Sequence, residues 1–174
     1  MNDNDKKKAG VFLLLALFFG SPRRATAPPA KTKKQASKQA QEEARQARVL
    51  ATLEWARPAA KRYGVPLSIV LAVLDVESHG YKRALSTAGA MGYMQLMPKT
   101  AAQYIPGADP YDPEKNINGG VHFLADLWKK YGDWWAVFTA YNAGEGRLKK
   151  NPKNYRMIYV NEVMQRWPLY SLVK

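Results

Sequence analysis

The chain has no cysteine. Disulfides, thiol nucleophiles, thiolate metal sites and lipid attachment at a cysteine are therefore all excluded. Only two histidines are present, His79 and His122, and they lack ligand-like spacing. No metal site and no cofactor are expected. Acidic residues are also scarce: 14 Asp and Glu stand against 27 Lys and Arg, for a formal charge of +13. No apolar run approaches the ~20 residues that a membrane-spanning helix needs. No stretch alternates convincingly as a strand, and no internal repeat is visible.

What is present is enough for one compact domain with appendages: 174 residues, 47% of them hydrophobic, with five Trp. The basic balance favours polyanionic partners, such as nucleic acid, anionic lipid or an acidic cell wall. Lys6-Lys7-Lys8 precedes the nine apolar residues Val11 to Phe19, and Ala25-Thr26-Ala27 offers a small-x-small cleavage site. Residues 1–27 thus read as a signal peptide or a short anchor. The expected location is the periplasm or cell envelope, with an inner-membrane tether if the signal is not cleaved. Those 27 residues hold five basic and two acidic groups, so most of the basic excess lies elsewhere.

Residues 28–53 read as a basic linker passing into a helix. After Pro28-Pro29, strong helix formers dominate with few apolar positions. Residues 31–62 carry nine basic and three acidic groups, which suits weak electrostatic association with a wall or membrane. Such a run attracts nucleic acid only non-specifically, and no specific nucleic-acid partner is expected.

The compact domain, residues 54–174, should be mainly helical. Pro58 is expected to break or restart its first helix, which Gly64 ends. Pro66 opens a second helix running to about Ser78. A glycine-rich segment over 79–97 is irregular or a short β-hairpin. Pro98 opens a short helix, and Asp112 caps another at Pro113. Ile117, Val121, Leu124, Trp128 and Tyr131 then form a helical stripe that Gly132 stops. Asp133 caps a helix from Trp134 to Asn142, and Asn151-Pro152 starts the last one.

Helical phase says where Glu77 points. It continues the apolar stripe Val70-Val73-Leu74, so its carboxyl faces packed hydrocarbon. Desolvation raises a carboxyl pKa, the property a general acid near neutral pH needs. A salt-bridged glutamate at a helix end is the plainer account of the same position. Asp75 falls on the face Ser68-Ala72-Asp75-His79, read as polar, where a surface pair with His79 is expected.

Glu77-Ser78 is followed by Gly92-Tyr93-Met94-Gln95-Leu96-Met97-Pro98 and then by Ala140-Tyr141-Asn142-Ala143-Gly144. With Ser86 to Gly92, Asn116-Ile117 and Gly119-Gly120, these segments resemble the soluble lytic transglycosylase catalytic domain of the lysozyme-like superfamily. The resemblance runs from about Tyr63 to Val160. It implies a lysozyme-like helical fold and peptidoglycan glycan strands as substrate. The bond cut would be the β-1,4 link between N-acetylmuramic acid and N-acetylglucosamine, leaving a 1,6-anhydromuramoyl end.

In that reading Glu77 is the single general acid and base. Ser86, Gln95, Met97, Tyr141 and Asn142 are substrate-binding, and Ser78 supports the acid. Glycosidases usually pair two carboxylates, 5–9.5 Å apart, yet no second acid lies in the motifs. The muramoyl 6-hydroxyl and N-acetyl group would fill that place. Ser86 alternatively organises the turn before Gly89, and Asn142 alternatively caps a helix. Gly119-Gly120 implies close backbone packing beneath the site. Tyr93 stands where leucine is common in the family. A lysozyme-type muramidase and a non-catalytic wall-binding assembly protein remain as rival readings. The machine served would be a secretion, conjugation or pilus apparatus, or one for phage entry.

Overall fold

The computed structural model describes residues 32–150 and 157–173. The expected signal peptide, the Pro28-Pro29 opening of the linker and the Asn151-Pro152 helix start lie outside them. Among the described residues there is no strand, and no helix is long and apolar enough to cross a membrane. The helices are α1 (Lys33–Leu50), α2 (Leu53–Tyr63), α3 (Leu67–Ser78), α4 (Pro98–Tyr104), α5 (Pro113–Tyr131), α6 (Trp134–Ala143), α7 (Glu145–Lys150) and α8 (Met157–Arg166). A 3₁₀ turn, Trp167–Tyr170, follows α8.

The helix ends follow local chemistry. Asp112 accepts from the Lys115 amide at 2.9 Å, and Asp133 from the Ala136 amide at 2.9 Å. Each satisfies an amide that the first helical turn leaves without a partner. Gly64 and Gly132 close α2 and α5 in the left-handed conformation, at φ 68° and 61°. Thr32 and Gln35 form a reciprocal capping box at the start of α1.

Pro58 does not break α2, contrary to the expectation from sequence. The helix runs through it from Leu53 to Tyr63. The bond that Pro58 cannot make would go to the Glu54 carbonyl, one turn back. Glu54 and Pro58 both lie on the exposed face, where solvent can take the place of a missing donor.

Helix α3 is the centre of the molecule. Every residue from Ile69 to Asp75 is fully buried, because α1, α2, α8 and the 3₁₀ turn all pack around it. Burying Ile69, Leu71 or Leu74 contributes about 1.5–3 kcal/mol each. This all-round burial overturns the surface reading of Asp75. Its carboxylate takes a hydrogen bond from Tyr170 Oη at 2.9 Å and lies 3.1 Å from Arg45 Nε and 3.5 Å from Arg166 Nε. His79 Nδ1 is 4.0 Å away and more closely engaged with the Asp75 carbonyl, at 2.6 Å. Burial pushes the Asp75 carboxyl up, against the pull of Tyr170 and Arg45. The face looked polar only because its covering elements are distant in sequence.

The segment 79–97 is irregular, with isolated bridges Leu85 to Met91 and Met91 to Leu96. Its Met94 and Leu96 side chains lie against the α5 glycines. A Cβ on Gly119 would come within 2.6 Å of Ile105 Cγ2, and one on Gly120 within 2.5 Å of Met94 Cβ. The glycine pair therefore lets this segment and the α4 end sit directly on the helix. In the α5 stripe, Ile117, Val121 and Leu124 are fully buried. Trp128, at its outer end, stacks on Trp134 with centroids 4.4 Å apart.

Candidate functional site

Glu77 occupies the last turn of α3, one residue before the helix stops in two left-handed residues, His79 (φ 52°) and Gly80 (φ 75°). Its carboxyl leaves the apolar core at the helix end and is largely desolvated. Burial pushes it up to about 7. One group opposes this shift: Tyr159 of α8, whose hydroxyl donates to Glu77 Oε1 at 2.7 Å. No neighbouring carboxylate among the described residues contributes. The raised value is thus a product of burial, not of like-charge repulsion.

Tyr159 was not singled out by sequence. It lies 82 residues from Glu77, in a helix whose buried positions Tyr159, Val160 and Val163 read as an ordinary core stripe. A tyrosine on such a stripe needs a partner for its hydroxyl, which is the one signal that could have marked it.

Tyr141, in α6, is the second aromatic group beside Glu77. Its hydroxyl donates to the Met94 carbonyl at 2.8 Å, and its ring packs on Phe123 at 5.0 Å. Burial and the nearby Glu77 charge hold its phenol well above the usual range. Burial and the same charge act likewise on Tyr159. Both hydroxyls therefore remain protonated donors. Asn142 follows Tyr141 in the last turn of α6 and is half-buried.

The loop carrying Met94 and Gln95 is fixed from below by Asn116, a fully buried residue of α5. Asn116 Oδ1 accepts from the Met94 amide at 2.8 Å, while Nδ2 donates to the carbonyls of Met91 (3.0 Å) and Pro110 (2.8 Å). Gly92 passes over this amide at φ 77°, where a Cβ would come within 2.4 Å of Asn116 Nδ2. Only glycine fits there. Gln95 adopts φ 48°, and its Nε2 donates to the carbonyls of Ala84 (3.0 Å) and Gly92 (2.9 Å). Its amide nitrogen thus ties the loop together.

The other sequence-derived candidates divide clearly. Ser86 Oγ accepts from the Ala90 amide at 3.0 Å, organising the turn around Gly89. Met97 precedes α4 with 43% of its surface open. Ser78 is buried, and its hydroxyl donates back to the Leu74 carbonyl at 3.1 Å, within its own helix. Glu77, Tyr141 and the Met94 carbonyl come together; Ser78 is turned to the helix backbone.

The chain matches the sequence profile described as the transglycosylase SLT domain over residues 54–158. Among curated relatives, the membrane-bound lytic murein transglycosylase C of Haemophilus influenzae (strain PittEE) is 32% identical over 130 residues, covering 64% of this chain and 36% of the relative. The protein of the same description from Histophilus somni (strain 2336) is 33% identical over 130 residues, with the same coverage, 64% and 36%. The chain thus spans little more than a third of these relatives' length. Among solved structures, lytic transglycosylase Slt of Pseudomonas aeruginosa, an inactive mutant with glutamine replacing glutamate, superposes with a TM-score of 0.52. It is 29% identical in sequence, over 66% of this chain and 20% of that one.

Proposed function

The chain belongs to the transglycosylase SLT domain family and has its mainly helical, lysozyme-like fold, and on that footing we propose that it is a peptidoglycan lytic transglycosylase with Glu77 as its sole acid and base. The observation that carries this reading is the Glu77 carboxyl at the end of the buried helix α3, held by the Tyr159 hydroxyl at 2.7 Å; burial pushes it up to about 7, and no second carboxylate among the described residues contributes. A pKa near the working pH serves both halves of the reaction.

Protonated Glu77 gives its proton to the oxygen linking N-acetylmuramic acid to N-acetylglucosamine, and the C1–O bond breaks. The muramoyl 6-hydroxyl then bonds to C1, and its proton returns to the Glu77 carboxylate. No water is consumed, and a 1,6-anhydro end is left. The Tyr159 hydroxyl donates to Oε1, and in this reading Oε2 is the oxygen that delivers the proton. The inactive glutamate-to-glutamine form of the Pseudomonas aeruginosa relative supports an essential glutamate.

Ser86, Gln95, Met97, Tyr141 and Asn142 are the groups proposed to meet the glycan. Met97 offers an exposed apolar surface to a sugar face. Tyr141 lies near the acid, Asn142 follows it in the same helical turn, and the Ser86 hydroxyl keeps its proton to donate after accepting from Ala90. The setting is the cell envelope, in keeping with relatives described as membrane-bound. The basic residues of 31–62 would add weak attraction to wall or membrane. The role proposed for that activity is local opening of the wall for a secretion, conjugation or pilus apparatus, or for phage entry.

The test is digestion of purified peptidoglycan by the wild-type protein and by Glu77→Gln, with the muropeptides weighed by mass spectrometry. Anhydro-muropeptides from the wild type alone support the proposal. Products heavier by one water would make the protein a muramidase, and no product from either would make it a wall-binding protein.

A further inference from the structure

Helix α1 falls in the segment read from sequence as a basic linker, yet its second half is built into the body. Val49 is fully buried, and Gly80 lies so close that a Cβ would come within 2.7 Å of Arg48 Cβ and 2.8 Å of the Arg48 backbone. This approach occurs at the turn that ends α3, three residues after Glu77. Arg48 Nε donates to the His79 carbonyl at 3.0 Å, and its guanidinium lies 4.2 Å from the centre of the Tyr81 ring. His79 is a side-chain-bearing residue in the left-handed region, so this turn needs outside support to hold its shape.

On the other side of Glu77, one turn of α1 further back, Arg45 lies beside the buried Asp75 carboxylate, with Nε 3.1 Å from Oδ1. Arg45 also pairs with Glu42, which in turn pairs with Arg166 at 3.2 Å. Arg166 lies 3.5 Å from Asp75 Oδ2 and sits two turns along α8 from Tyr159. Helix α3 is thus joined to α8 twice, by Tyr159 to Glu77 and by Arg166 to Asp75, and the 3₁₀ turn adds Tyr170 to the second joint. Helix α1 closes the second joint and braces the turn after the acid.

We propose that α1 is a positioning element for Glu77, with Arg48 and Arg45 as its positioning residues on either side of the acid. Neither arginine touches Glu77 among the described contacts; each acts through the backbone or through Asp75. The inference rests on Glu77 being the general acid.

The test uses the full chain with Arg48→Ala, Arg48→Lys and Arg45→Gln. Lys38→Ala, on the exposed side of α1, sets the scale of a purely electrostatic change. Two quantities are read: the Glu77 carboxyl titration by carbon NMR, and kcat against KM on peptidoglycan. Loosening the turn admits water to the acid, so in Arg48→Ala the titration moves down from about 7. The same variant loses roughly tenfold in kcat through misplacement of the acid, with KM little changed. Arg48→Lys keeps the charge without the planar fork and restores only part of the loss. If Arg45→Gln does not fold, the Arg48 pair decides. A lower melting temperature with titration and kcat unchanged would mean that α1 only stabilises, and a rise in KM alone would make Arg48 a substrate contact; either overturns the proposal. An active Glu77→Gln would remove the proposed function, while the carboxyl titration still reads the bracing by itself.

Discussion

The Tyr159 hydroxyl donates to Glu77 Oε1 at 2.7 Å, joining the first half of the compact domain to its last helix. The bond lowers a carboxyl pKa that burial raises. A donor fixed on one oxygen also sets the plane of the carboxyl, and hence the direction in which the other oxygen presents its proton.

Tyr159→Phe separates these effects. Removing the hydrogen bond takes away the one influence pulling Glu77 down, so its titration should shift above about 7. The alkaline limb of the pH–rate profile follows it upward. At the same time kcat drops by roughly tenfold, because the acid is no longer oriented. A profile that stays in place while kcat falls would mean that the hydroxyl contacts substrate instead.

Glu77→Gln should show the acid's cost to the fold. The folded carboxyl titrates at about 7, above its ordinary 4.5. The associated stability is fully present below the ordinary value and is lost as pH rises through about 7. Ionising Glu77 in place costs about 3 kcal/mol once pH is well above 7. Urea melts at pH 5 and pH 8.5 should show the wild type losing stability across this window, and Glu77→Gln losing less. Equal losses in the two proteins would place the titrating group elsewhere.

Much of this arrangement is legible because its signals are local. Asp112, Asp133, Gly64 and Gly132 mark helix ends through bonds or backbone angles within a few residues. The burial of Val70, Val73 and Leu74 beside Glu77 follows from helical phase. What failed to show is tertiary. Asp75 looked like a surface acid because its covers, Arg45 and Tyr170, come from opposite ends of the described chain. Tyr159 had no local mark distinguishing it from a core residue. Pro58 read as a break because its exposure, which makes the missing bond tolerable, is set by the neighbours of α2.

Gly120→Ala tests the contact between α5 and the loop. The new methyl would overlap Met94 Cβ at 2.5 Å, and overpacking of this kind costs about 1–3 kcal/mol. The strain falls on the residue whose carbonyl holds Tyr141. Both melting temperature and kcat should therefore fall. Gly64→Ala is the comparison: it meets no atom within 4 Å but sits at φ 68°. It should lower stability by about 1 kcal/mol and leave kcat alone. Equal effects on kcat would show that the loss at Gly120 is general and not transmitted through Met94.

Asn116→Ala should be the most damaging of these changes outside Glu77. It removes an acceptor from the Met94 amide and a donor from the Met91 and Pro110 carbonyls at once, in a position with no exposed surface. A buried group left without its partner costs about 1–3 kcal/mol, so the total should exceed that of Gly120→Ala. Asn116→Asp keeps the shape and the acceptor to Met94 but turns the donor into a second acceptor facing two carbonyls. That carboxyl restores the missing donor if it takes up a proton. Asn116→Asp should therefore regain stability and activity as pH falls, in urea melts and peptidoglycan assays between pH 5 and 8, whereas Asn116→Ala should not.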